Sequence, residues 1–270
     1  DGRSFFYVNP LEVNPAACHA DARLRHVKPV RQPWFGCACC PPNIARIVGS
    51  AASYAFTENE STLFTHLYMG AELTARNGLG LTLESRLPWE GWARMTVHTA
   101  RPGEYTLAFR VPGWCRAPRF IGPEGIGQIQ KDGYVYFTGE WKDGDTVTIE
   151  LPMDIRLMGA NPRVREDIGQ AAVTCGPLCY CLEQADNGPD LHLCRVDANA
   201  LGSARAGKTI ISGQSMSMLE LPGFRQELAP AGPLYGEYAP AKESSVTLRF
   251  IPYYAWANRG EGEMRVWVRV

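Results

Sequence analysis

Tyr105-Thr106-Leu107-Ala108-Phe109-Arg110-Val111 places a large apolar residue at every second position, and Pro112-Gly113 then ends the run at a sharp turn. A period of two is that of an extended strand with one buried face. The same period occurs at Leu79, Leu81 and Leu83, and at Val147, Ile149 and Leu151 after the turn signal Lys142-Asp143-Gly144-Asp145. It returns at Val246, Leu248 and Phe250, and at Met264, Val266, Val268 and Val270, so the last strand is expected to be tied into a sheet. Residues 167–183 are a candidate for paired strands broken at Gly176-Pro177, and 185–241 are richer in turn formers. The 27 glycines and 20 prolines in 270 residues exceed the usual ~12%. Short alternating strands punctuated this way predict a mainly β chain built of antiparallel sandwiches.

Upstream the pattern is different. Trp34-Phe35-Gly36-Cys37-Ala38-Cys39-Cys40-Pro41-Pro42-Asn43 puts three of the nine cysteines within four residues, directly ahead of a helix start. Proline is favoured in the first helical turn, where its missing N–H would be unpaired anyway. Ile44, Ile47, Val48, Ala51, Ala52 and Ala55 follow at the three- and four-residue spacing of an amphipathic helix. Cys39 and Cys40 are thus expected at a helix N-terminus, a setting that favours a thiolate. Such a thiolate can bind a soft metal, attack an electrophilic carbon, or do both. The plainer alternative is a set of buried small hydrophobes.

Charge and composition exclude several classes. The formal net charge of -1 gives no basis for binding nucleic acid or an anionic membrane, and no apolar run approaches the ~20 residues of a membrane helix. An odd number of cysteines, three of them crowded together, suits a reducing, cytoplasmic compartment better than a disulfide framework. The opening Asp1-Gly2-Arg3-Ser4 carries no initiator Met and reads as the inside of a longer chain.

Other candidates carry less chemistry. Cys175, Cys179, Cys181 and Cys194 sit among strand-like apolar residues and read as core, and His192-x-Cys194 is a weak metal fragment. His19 and His26 flank an Arg-containing loop and are candidates for substrate contact or for plain solvated histidines. Trp34 and Phe35 offer a sugar-facing aromatic surface or core packing, and Glu12 an acid/base carboxylate or a surface one. No GxSxG, phosphate loop, HExxH or dinucleotide fingerprint is present.

Several stretches together resemble glycoside hydrolase family 127, whose characterised activity is β-L-arabinofuranosidase. They are Phe6-Tyr7-Val8-Asn9-Pro10-Leu11-Glu12-Val13, the run from Trp34 through Asn43 to Arg46, and Arg110-Val111-Pro112-Gly113-Trp114. Gly176-Pro177-Leu178 and Ile251-Pro252-Tyr253-Tyr254-Ala255-Trp256-Ala257-Asn258-Arg259-Gly260 continue the match in the same order. The resemblance implies two β-sandwich domains preceded by the last segment of a catalytic (α/α)6 barrel. Residues 1–53 would be that segment, 63–158 an inserted sandwich, and 54–62 with 159–270 the second sandwich.

It further implies zinc held by one Glu and three Cys, one of the cysteines being the nucleophile. The matching positions are Cys39, as nucleophile and ligand, and Cys40, as ligand; Cys37 is not expected to bind the metal, and Tyr7 would line the sugar pocket. The remaining Glu and Cys ligands and the acid/base Glu would lie upstream of Asp1. The expected function is that of a zinc-dependent retaining glycoside hydrolase of non-reducing end β-L-arabinofuranosidase type, incomplete and of low activity as this chain alone. Its substrate would be a β-L-arabinofuranoside or a related pentofuranoside. The exposed end of the barrel would need a partner surface, either a second copy of the chain or the missing barrel segment. Two readings from other classes stand beside it: a non-catalytic β-sandwich that binds carbohydrate or mediates assembly, and a purely structural zinc site.

Overall fold

The computed structural model describes residues 3–37, 39–228 and 233–270. The chain forms two compact units, Cys39–Asp154 and the combination of Asp1–Ala38 with Ile155–Val270. Both are mainly β.

The first unit opens with helices Cys40–Gly49 and Ala51–Ala55 and continues as two five-stranded sheets. One sheet has the order Phe56–Glu58, Thr62–Thr65, Tyr105–Arg110, Tyr134–Gly139, Gly127–Lys131. The other runs Ala71–Thr74, Gly80–Ser85, Trp92–Thr99, Thr146–Glu150, Arg119–Ile121. The alternating residues of the two sheets meet in one core: Leu63, Leu107, Phe109, Val135 and Phe137 from the first, Leu81, Leu83, Met95, Val147 and Ile149 from the second. That is a β-sandwich, and it follows from the period of two, which sends every second side chain to the same face. Trp141 closes one end, its indole N–H donating to the Tyr105 carbonyl at 2.9 Å.

The second unit is a ten-stranded sheet whose pairings close on themselves. Gln170–Cys175 pairs with Leu178–Glu183, which pairs with Glu243–Pro252, which pairs with the long strand Gln214–Gln226. From there Cys194–Val196 and Trp267–Arg269 lead back to Gln170–Cys175. Closure covers edges that would otherwise template aggregation. The C-terminal strand is tied in as its alternation predicts, with Met264, Val266 and Val268 buried. Near the other end of the chain, Glu12–Val13 pairs with Met264–Arg265, so the N-terminal segment is part of this sheet.

Two segments fall differently from the sequence expectation. Phe56–Glu58, expected with the second sandwich, pairs with Thr62–Thr65 inside the first unit. The hairpin is local and tight, since the Asn59 side chain accepts from the backbone N–H groups of Ser61 and Thr62. Ile155–Met158, expected in the inserted sandwich, pairs with residues 172–175 of the closed sheet instead. The expected barrel segment is represented among the described residues only by short helices, Pro15–Ala20, Cys40–Gly49 and Ala51–Ala55 with the 3-10 turn Ala22–Leu24; no (α/α)6 barrel is resolved there.

Candidate active site

Cys39 caps helix Cys40–Gly49 and Cys40 is its first residue, so both cysteines stand where the sequence places them. The next two positions are Pro41 and Pro42, which have no N–H to present. The first turn therefore offers fewer amide donors than an ordinary helix start. Asn43 steadies the turn: its Nδ2 donates to the Cys39 carbonyl at 2.8 Å, and Arg46 Nη1 donates to Asn43 Oδ1 at 2.9 Å.

Both thiols are exposed, and their sulfurs lie 3.8 Å apart. This is well beyond the ~2.05 Å of a disulfide. Two thiolates on one tetrahedral zinc, each ~2.3 Å from the ion, stand about 3.8 Å from one another. The pair thus fits two of the four positions of such a site. Among the described residues no group of three or more His, Cys, Asp or Glu is placed to hold a metal.

Cys115, Cys175, Cys181 and Cys194 are set apart by burial. Cys181 and Cys194 are fully enclosed, and burial pushes their thiols up, as it does those of Cys179 and Cys115. A thiol in that state stays protonated at neutral pH and is a poor nucleophile. None of the nine cysteines is in a disulfide.

Tyr7 and Cys37 belong to the closed-sheet unit. The Tyr7 hydroxyl lies 3.3 Å from Cys37 Sγ, and its ring packs against Phe35 with centroids 5.5 Å apart. Phe5 meets the same Phe35 ring at 5.3 Å, and the backbones of Phe5 and Gln32 exchange two hydrogen bonds of 2.9 Å. Phe35 is therefore a packing residue, whereas Trp34 is 62% exposed.

Two of the weaker candidates have surface ion-pair partners. Glu12 is ion-paired with Arg265 at 2.8 Å. His19 Nε2 meets Glu261 Oε1 at 2.8 Å on the surface, and His26 is exposed in its loop.

A buried charged cluster carries no sequence signature. Glu183 is 6% exposed and accepts from the Ala257 N–H at 2.6 Å and from Arg259. Arg259 also reaches Asp186, and the two carboxylates hold its guanidinium firmly charged. Residues 183 and 259 are 76 positions apart, so no local pattern could have joined them. A buried acid in an otherwise apolar strand, Leu178–Glu183, is the one hint the sequence offers.

Three family models tile the chain. The catalytic domain of "Beta-L-arabinofuranosidase, GH127" matches residues 1–53, the middle domain of the same family 62–153, and the "Glycoside hydrolase family 127 C-terminal domain" 155–269. The chain belongs to glycoside hydrolase family 127. It is 37% identical over its whole length to a non-reducing end β-L-arabinofuranosidase of Bifidobacterium longum subsp. longum, of which it covers 42%. It superposes on the crystal structure of a family 127 β-L-arabinofuranosidase from Geobacillus stearothermophilus T6 with a TM-score of 0.89 and 39% identity, over 99% of this chain and 43% of that one. A second solved structure, of a family 127 β-arabinofuranosidase, matches with a TM-score of 0.76 and 28% identity, over 100% of this chain and 42% of that one. The chain thus spans less than half the length of these relatives.

Proposed function

We propose that this chain carries the cysteine part of the active site of a zinc-dependent retaining glycoside hydrolase of β-L-arabinofuranosidase type. The observation that carries the reading is the pair of exposed thiols of Cys39 and Cys40, 3.8 Å apart at a helix start. In this reading Cys39 is nucleophile and metal ligand, Cys40 is a ligand, and Tyr7 contacts the sugar. Zinc bound to both sulfurs would keep them deprotonated at neutral pH.

A retaining glycosidase needs one group to attack the anomeric carbon and another to protonate the leaving oxygen. Cys39 Sγ forms the C–S bond as the glycosidic C–O bond breaks, giving a thioglycoside. Water then attacks the same carbon, the C–S bond breaks, and the configuration is retained. Glu183 is not read as the acid/base carboxyl, because it is buried and held by Arg259 and the Ala257 N–H; Glu12 is exposed and ion-paired with Arg265. In this reading the acid/base carboxyl and the remaining zinc ligands are not assigned to residues of this chain.

Residues 1–53 are read as the end of an (α/α)6 barrel, ahead of the two β domains. The support is helix Cys40–Gly49, which buries no residue and leaves Ile44, Ile47 and Val48 55–70% exposed. An apolar stripe of that kind calls for neighbouring helices. The support for a reducing, cytoplasmic setting is the odd number of cysteines, three of them within four residues.

The test is substitution in the full-length protein. Cys39→Ser is expected to lower kcat by on the order of a thousandfold or more and to abolish labelling by a cysteine-directed arabinofuranose mimic. Cys40→Ser is expected to lose bound zinc, read by metal analysis. Equal hydrolysis with and without the Cys39 thiol would remove the nucleophile assignment. Sugar binding without turnover, indifferent to both cysteines, would favour a non-catalytic carbohydrate-binding module.

A further inference from the structure

We propose that Tyr253 and Trp256 are positioning residues for Tyr7: the loop that carries them grips the chain on both sides of Tyr7 and sets where its phenol stands. The inference rests on the reading of Tyr7 as a sugar contact. Ahead of Tyr7, the Phe6 ring lies flat on the Trp256 indole, centroids 4.2 Å apart and planes within 6°. Beyond Tyr7, the Tyr253 hydroxyl donates to the Pro10 carbonyl at 2.8 Å. Burial pushes the Tyr253 phenol up to about 12, so it stays a donor across neutral pH.

The same loop also holds the segment that backs Tyr7. Arg31 Nη2 donates to the carbonyls of Tyr254 and Trp256 at 2.7 and 3.1 Å, and its guanidinium stands over the Phe6 ring. Its neighbour Gln32 is bonded to Phe5, and four and six residues beyond Arg31 come Phe35 and Cys37, two side chains that Tyr7 touches. Both segments that frame Tyr7 are thus registered against one loop.

That loop is rigid. Trp256 is 2% exposed, and Ala257 follows it with φ 57°, a left-handed conformation uncommon for a residue with a Cβ. The Ala257 N–H donates to Glu183, and Arg259, two residues on, is locked between Glu183 and Asp186. Backbone held out of its preferred region by surrounding bonds is a feature of sites where geometry must be fixed.

The test uses the full-length protein and a chromogenic β-L-arabinofuranoside. Tyr253→Phe removes one hydrogen bond and keeps the ring; KM is expected to rise about three- to tenfold with kcat within about twofold. Trp256→Phe is expected to act in the same direction. In a Tyr7→Ala background, which raises KM by itself, Tyr253→Phe adds nothing further, as for two residues acting through one contact. Tyr180→Phe serves as control, since it removes a 2.7 Å bond to Ser217 in the same unit and is expected to leave both constants unchanged. If Tyr7→Ala raises KM while Tyr253→Phe and Trp256→Phe leave it alone, or if the two effects add, the positioning role is wrong and the reading of Tyr7 stands. If Tyr7→Ala has no effect on KM, both fall.

Discussion

Glu183 and Cys39 show how differently single residues reveal their roles. Cys39 is recognisable because its neighbours in sequence, Cys40, Pro41 and Pro42, are also its setting in space. Glu183 looks like the polar end of an apolar strand, yet its carboxylate joins Ala257 and Arg259 from the far end of the chain. Removing one member of a buried ion pair leaves its partner uncompensated, which costs about 3–5 kcal/mol. Glu183→Ala is therefore expected to destabilise the protein by about that amount, measured by denaturant unfolding. A loss under about 0.5 kcal/mol, the usual range for surface positions, would show that Asp186 alone satisfies Arg259.

Strands announced by alternation are where the sequence places them, because the period of two and the sandwich core are one fact seen from two sides. Leu81, Leu83, Phe109, Val147 and Ile149 are all fully buried. Phe56–Glu58 escaped notice because three residues after a helix are too few to show a period. Ile155–Met158 follows its neighbour strand by only four residues yet joins another sheet, a choice made by non-local hydrogen bonds. Close approach of backbones is equally invisible to pattern. A Cβ on Gly91 would stand 1.8 Å from the Leu151 carbonyl oxygen, and the Leu151 N–H donates to the Gly91 carbonyl at 2.7 Å. Gly91→Ala must push these backbones apart. The expected loss is about 1–3 kcal/mol, visible as a lower urea midpoint with an unchanged slope.

At the level of the whole molecule, the chain covers about two-fifths of the length of these relatives, and in the proposed reading it supplies two of the roughly four ligands that zinc requires. Expressed by itself it is expected to release zinc readily to a chelator and to show little hydrolysis of a β-L-arabinofuranoside. Tight zinc retention or robust turnover by these 270 residues would overturn that expectation. No helix among the described residues is long and apolar enough to cross a membrane. The amino-acid sequence by itself determined the local structure: alternating strands, a helix that begins at two prolines, a crowded thiol run, and motifs specific enough to point to one family. Those features depend on neighbours a few residues apart, and short-range sterics decide them. Only the tertiary structure decided that the C-terminal sheet closes on itself and that Glu12 is held by Arg265. It also separated Cys39 and Cys40, which are open, from Cys181 and Cys194, which are sealed. Burial and partnership are properties of residues brought together from far along the chain, and no stretch of sequence contains them.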